Sequence, residues 1–428
     1  MSLAILNGKS ESLRQQLYNT IGSEEAAAAQ RVLESRNLSG FLGRAGEGFL
    51  GGPEVRALED AFAKEFGVKY AISFNSATTA LQGAVAAVGI GPGDEVITSP
   101  FSMTATPASI LLNGAVPVFA DISDETFCLD AESVKSRITP RTRAILPVNL
   151  FGGSPDYDAL RKIADEHSLS IIEDNAQGPG ATYRGRKLGT IGDIGVFSLN
   201  VHKVIQCGEG GIAITNDEGL ANRLRLVRNH GEAIVDDEGG SEPIIGSNYR
   251  LSEVHAAIAG VQLAKLEAFN VARQTLVAQL TKGLRRFSWL VPTEPPAHVS
   301  QVWYIYPFRY MADRLGGISR STIARTLVAE GFPVAEGYVK PLYLQPVYQQ
   351  KRMYPRSQFP FVSTEFPSDV SYDRGLCSVA ERLWEHELLT TAVFHPPNTE
   401  ETVEAFLEVL SRIEAHTTDL LAFERTLG

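Results

Sequence analysis

Seven short β-rich runs set the frame of this chain: Tyr70 to Phe74, Glu95 to Ser99, Val116 to Ile122, Ala144 to Val148, Ser170 to Asp174, Gly195 to Leu199 and Gly211 to Thr215. Most are joined by helix-sized connections, such as Thr78 to Val88 and Tyr157 to His167. Strands that return through a helix run parallel and are covered on both faces, so the pattern predicts a mainly parallel α/β sheet with helices on either side. The last two runs are separated only by a lysine-bearing turn, which leaves room for one of them to run antiparallel. In open sheets of this kind ligands bind beyond the carboxyl ends of strands. Three such ends carry chemistry.

After the first run comes NSATTAL, Asn75 to Leu81, where hydroxyls and free N–H groups open a helix. Such a start either seats a phosphate, through unpaired donors and the positive end of the helix dipole, or is simply capped by its own Ser and Thr side chains. After the fifth run, SIIEDN places Asp174 at the rim of an apolar strand, where an acid shielded from water either holds a cation or caps a loop. The stretch FSLNVHKVIQCGEGG, Phe197 to Gly211, follows the sixth. Its lysine, Lys203, lies between apolar residues and a glycine-rich turn. Partial desolvation there favours the neutral amine that attacks an aldehyde, the requirement of a Schiff-base lysine.

With 428 residues, 44% of them hydrophobic, the chain exceeds one ordinary domain and can bury a large core. We read residues 1–52 as an N-terminal helix and glycine-rich loop, 53–265 as a large domain and 266–428 as a smaller α+β domain. The glycine run from Gly40 to Gly52 is either a lid or a surface connection. The net charge of −11 argues against nucleic acid as main partner, because phosphate backbones select basic surfaces. Three scattered cysteines indicate neither a disulfide framework nor a metal site. No apolar run approaches the ~20 residues that span a bilayer. The N-terminus lacks the build of a signal peptide, so a cytoplasmic location is expected.

An acid at a strand end, a lysine on a following loop and a hydroxyl-rich helix start are the parts that pyridoxal 5′-phosphate needs. The segments NSATTAL, GAVPVFADI, EDNAQGPGATYRGRKLGTIGDIGVFSL, HKVIQCGEGG and NYRLSEVHAAIAG resemble those of the DegT/DnrJ/EryC1/StrS aminotransferases, sugar-modifying members of fold-type I pyridoxal phosphate enzymes. The resemblance runs from the helix at Pro53 nearly to the chain's end. It implies a homodimer with shared sites, an amino-acid donor such as glutamate or glutamine, a keto-sugar acceptor, and the pyridoxamine form of the cofactor as an intermediate state.

Carried over residue by residue, the resemblance makes Lys203 the covalent anchor and Asp174 the partner of the protonated ring nitrogen. Gln177 matches the family glutamine near the ring's phenolic oxygen. Ala77, Thr78 and Ser198 match the phosphate cup, and Asn248 matches an asparagine that reaches the neighbouring subunit's phosphate. Where relatives stack an aromatic side chain on the ring, this chain has Met103, with Phe101 two residues earlier, and either can cover the ring. Tyr343 stands where relatives often carry the histidine of PLHLQP, which points to an altered acceptor pocket. Arg184 and Arg186 lie in a local cluster of cations that either holds a diphosphate or forms a solvated hairpin tip. A minority branch, the keto-deoxysugar 3-dehydratases, replaces the anchor lysine by histidine. In this register His202 falls one place too early for that role, which favours transamination. Keto-cyclitols and keto-sugar phosphates are the competing acceptors.

Overall fold

The computed structural model describes residues 3–13, 16, 18–44, 46–231 and 244–426. The outer ends of the expected first and last domains therefore lie outside the described residues. Helix α1 (Ser23–Ser35) leads through the glycine-rich loop to α2 (Pro53–Phe66), whose proline sits in the first turn, where its missing N–H costs nothing. There follow β1 (Tyr70–Phe74), α3 (Ala77–Ala87), β2 (Glu95–Thr98), α4 (Ala105–Leu112), β3 (Val116–Phe119), α5 (Ala131–Ser136), β4 (Thr142–Leu146) and α6 (Tyr157–His167). The chain continues through β5 (Ser170–Asp174), the hairpin β6 (Thr182–Tyr183) and β7 (Arg186–Lys187), β8 (Ile194–Ser198), β9 (Gly211–Thr215) and α7 (Glu218–Arg228).

The seven expected runs form one seven-stranded sheet in the order β1-β9-β8-β5-β4-β2-β3. Strand β9 is antiparallel to both neighbours, pairing Phe74 with Gly211 and Ser198 with Gly211, while the pairs from β8 across to β3 are parallel. Every residue of β2, β3, β8 and β9 is buried, as expected where helices cover both faces. The carboxyl ends of β1, β5 and β8 thus share one edge, and β9 begins there.

Helix α8 (Glu253–Ala264) starts at Ser252, whose hydroxyl accepts the His255 amide at 3.3 Å, and continues into α9 (Leu266–Leu284). Beyond it lie β10 (Leu290–Pro292), β11 (Val299–Ser300), β12 (Tyr306–Tyr310), α10 (Arg320–Ala329), β13 (Ala335–Glu336) and β14 (Leu388–Thr391). Strands β10, β12, β14 and β13 make a second, antiparallel sheet, and β11 pairs with β6. The helix Glu400–Ala415, followed by a last helix Thr417–Arg425, packs Phe406 and Leu410 onto this sheet in one core with Trp289 and Phe308. Leu3 joins the same core, and the Ala4 amide donates to Glu330 at 2.8 Å, so the N-terminal segment packs against the C-terminal half.

Three elements are tied together under β1 by a buried ion pair. Glu59 on α2 accepts the Ser73 amide and hydroxyl, each at 2.8 Å, and Arg228 of α7 at 2.5 Å. The Arg228 guanidinium also lies 4.7 Å from the centre of the Phe41 ring, which brings the glycine-rich loop into the same cluster. Breaking a buried pair strands the remaining charge. Glu59→Ala is therefore expected to cost roughly 3–5 kcal/mol of stability. Chemical denaturation should show that loss, and a cost below about 1 kcal/mol would mean the pair behaves as an exposed one.

Candidate active site

Three chain segments converge where β1, β8 and β9 meet. Gly211 pairs with both Phe74 and Ser198, and a Cβ on Gly211 would lie 2.5 Å from the Ala77 nitrogen and the Ser76 carbonyl carbon. The missing side chain is what lets the start of α3 approach Ser198. At that start Ser76 caps the helix by accepting the Thr79 amide at 3.2 Å. Ala77 and Thr78 open the first turn, where amides have no carbonyl one turn back within the helix, an arrangement that suits an anion. Capping and anion binding are thus compatible here, since they use different amides.

The next strand end carries Asp174. Its side chain is enclosed, with Oδ2 accepting the Thr106 hydroxyl at 2.7 Å and Oδ1 the Ala176 amide at 3.2 Å. Burial pushes its carboxyl above the ordinary range, while Thr106, the Ala176 N–H and the charge of Lys203 pull it back down. Among the described residues no cation forms an ion pair with it. A buried carboxylate without such a partner fits a cationic ring nitrogen.

Lys203 sits on the excursion between β8 and β9. The Leu199 amide donates to the Gly210 carbonyl and the Cys207 amide to Leu199, both at 2.9 Å, while Val204 and Ile205 anchor the loop in the core. The lysine is thereby held at the sheet edge, its Nζ 4.3 Å from the centre of the Tyr304 ring. Burial lowers its pKa to about 8, with Asp174 acting in the opposite sense. His202, one residue earlier, is exposed.

Gln177 is buried, with Oε1 accepting the Phe151 amide at 2.7 Å and Nε2 donating to the Tyr338 hydroxyl at 3.0 Å. Next to Phe151, Gly152 has φ +82°, and a Cβ there would stand 1.6 Å from the Val302 carbonyl oxygen. This contact brings the 302–304 segment, and Tyr304 with it, against the site. Met103 is 66% exposed ahead of α4, whereas Phe101 is fully buried, with its ring 6.4 Å from that of Tyr338. Met103 is thus the one of the two with its side chain open to solvent. Asn248 is exposed on the turn before α8, where its carbonyl accepts the Asn75 side chain at 3.4 Å.

One expectation needs revision. Tyr343 does not line a pocket: it is fully buried against Phe119, its hydroxyl donating to Glu381 and accepting the Cys377 amide at 3.2 Å. A phenol ring apolar enough for the core, with its hydroxyl satisfied there, has no reason to face solvent. Arg184 and Arg186 are exposed on the β6–β7 hairpin, where Arg184 pairs with Asp158 at 2.7 Å and Arg186 donates to the Thr190 carbonyl at 3.1 Å. Both are exposed, which a solvated hairpin tip and a diphosphate site share. Sequence reading in turn missed Thr106, Tyr304 and Tyr338, which reach the site from remote positions. Only Thr106 left a signal, lying three residues past Met103 and so one helical turn on.

The model of the DegT/DnrJ/EryC1/StrS aminotransferase family matches residues 30–371. The chain is 39% identical to a GDP-perosamine synthase of Caulobacter vibrioides over 68% of its own length and 77% of that protein. It is 37% identical to an L-glutamine:2-deoxy-scyllo-inosose aminotransferase of Streptoalloteichus tenebrarius over 71% of its length and 75% of that protein. The crystal structure of an aminotransferase from Psychrobacter cryohalolentis superposes with a TM-score of 0.80 at 28% identity, covering 94% of this chain and all of that one.

The lowered pKa of Lys203 predicts its reactivity. Acylation of the cofactor-free chain, followed by peptide mass spectrometry, should show the Lys203 rate levelling off near pH 8, while exposed lysines keep gaining beyond pH 10. In Asp174→Asn the levelling point should move lower, because the charge favouring the ammonium is gone. A profile like that of surface lysines would contradict the site.

Proposed function

The chain belongs to the DegT/DnrJ/EryC1/StrS aminotransferase family and is a pyridoxal phosphate-dependent sugar aminotransferase, and from that premise we propose that it moves an amino group from glutamate or glutamine to a nucleotide-linked keto-sugar. The observation that carries the chemical assignment is the placing of Asp174, enclosed and with no ion-pair partner among the described residues, near Lys203, whose pKa burial lowers to about 8. Bound pyridoxal 5′-phosphate supplies an aldehyde to take the amino group and a ring that accepts electrons.

In this reading the amides of Ala77 and Thr78, with the Ser198 hydroxyl, bind the phosphate. Asp174 holds the ring nitrogen protonated. Gln177 and Met103 would help to hold the ring, the first through its amide and the second through its thioether. Lys203 would hold the aldehyde, and its Nζ is the group that would accept the proton from the donor's Cα. Tyr304 shields that amine from water on one side.

Two family members frame the acceptor. GDP-perosamine synthase supports a nucleotide-linked sugar; the L-glutamine:2-deoxy-scyllo-inosose aminotransferase supports glutamine as donor and keeps a keto-cyclitol as the second reading. The exposed pair Arg184–Asp158 contributes little as it stands, so Arg184 can be recruited by a diphosphate at small cost.

Lys203→Ala should abolish turnover, and in the wild-type chain a keto-sugar joined to a nucleoside diphosphate should react more efficiently than the same sugar as its phosphate. Equal efficiency, together with unchanged turnover in an Arg184→Ala, Arg186→Ala double variant, would remove the nucleotide while leaving transamination intact. Activity in Lys203→Ala would remove the chemical assignment itself.

The exposed position of Asn248 suits contact with a second copy of the chain. In a homodimer with shared sites, mixing an inactive Lys203→Ala chain with an inactive Asn248→Asp chain should restore part of the activity, because one site in each mixed dimer is intact. No recovery, or an active monomer by sedimentation, would refute the shared site.

A further inference from the structure

Asp174 is supported by two hydroxyls that the reading above leaves without a role. Thr106 and Ser102, at 0% and 2% exposure, are both buried. The Thr106 hydroxyl has one hydrogen, which it gives to Asp174 Oδ2 at 2.7 Å. At its 2.5 Å contact with Ser102 Oγ it must therefore accept, and Ser102 must donate. The result is a directed chain, Ser102 to Thr106 to Asp174, in which each bond polarises the next. The backbone fixes where it ends: the Thr106 amide donates to the Met103 carbonyl at 3.1 Å, so the turn that exposes Met103 also holds Thr106 against the carboxylate.

We propose that Thr106, backed by Ser102, is a positioning residue for transamination: it keeps Asp174 ionised in spite of burial and fixes the plane of its carboxylate for the ring nitrogen. The proposal rests on the assignment of Asp174 to that nitrogen. Oδ2 is turned to Thr106 and Oδ1 is shared with the Ala176 amide, so the carboxylate cannot rotate without losing a bond. The other titratable groups whose charges act on Asp174 are Lys203, on the loop between β8 and β9, and Tyr338, on the loop after β13. A hydrogen bond donated to a carboxylate favours its ionised form, so deleting the Thr106 hydroxyl must move the carboxyl further up.

The test compares Thr106→Val, which removes the donor at similar volume, with Thr106→Ser, which keeps it. In the cofactor-free full-length chain, carbon NMR of labelled aspartate, assigned by loss of the signal in Asp174→Asn, should show Asp174 titrating about one pH unit higher in Thr106→Val. Thr106→Ser should stay near wild type. In the loaded enzyme Thr106→Val should lower kcat about tenfold, with the KM for the amino acid little changed and the acid limb of the rate profile moved up in pH. Thr106→Ser should recover most of the rate. A Thr106→Val chain that melts earlier but shows neither the NMR shift nor the moved limb would overturn the proposal and leave a packing role. Should that variant not fold, Ser102→Ala must shift Asp174 in the same direction by a smaller amount, and no shift there overturns it equally. Full activity in Asp174→Asn would instead remove the assignment of Asp174, which separates the two failures.

Discussion

A buried carboxylate and a half-buried amine at one edge of a mainly parallel sheet are the constraint from which the rest of this structure follows. Burial drives each toward its neutral form, Asp174 upward and Lys203 down to about 8, while the charge of each holds the other back. An isolated buried charge would be costly. Here the cost is limited because Asp174 is given two hydrogen bonds and Lys203 the face of an aromatic ring. The outcome is an amine with its pKa lowered to about 8 near an enclosed carboxylate.

The scaffold that sets this spacing is strict where backbones touch. Gly211 brings the first turn of α3 against the ends of β1 and β8, and Gly152 admits the Val302 carbonyl, so the second half of the chain delivers Tyr304 to the lysine. Tyr338 and Gln177 link the loop after β13 to the end of β5. The site therefore lies where the large sheet meets segments from the second half of the chain, and its walls come from the small sheet's side as well as from the large sheet's rim.

Much of this was legible in the sequence, for identifiable reasons. All seven strands of the large sheet are short apolar runs bounded by turns, and the antiparallel β9 follows from the short lysine-bearing connection before it. The surroundings of Asp174 and Lys203 were legible because local context, a strand end and a glycine turn, sets them. Thr106, Tyr304 and Tyr338 were not, because each meets its partner only through tertiary packing; Thr106 and Asp174 lie 68 residues apart. Tyr343 was misplaced for the same reason. Its partner Glu381 stands 38 residues away, and nothing near Tyr343 announces that its hydroxyl is already bound in the core.

The most direct measurement is a crystal structure of the chain soaked with pyridoxal 5′-phosphate. The account predicts density continuous with Lys203 Nζ, the ring nitrogen within about 3 Å of an Asp174 oxygen, and the phosphate against the amides of Ala77 and Thr78. Density joined to a different lysine, or a ring whose nitrogen faces a residue other than Asp174, would contradict it.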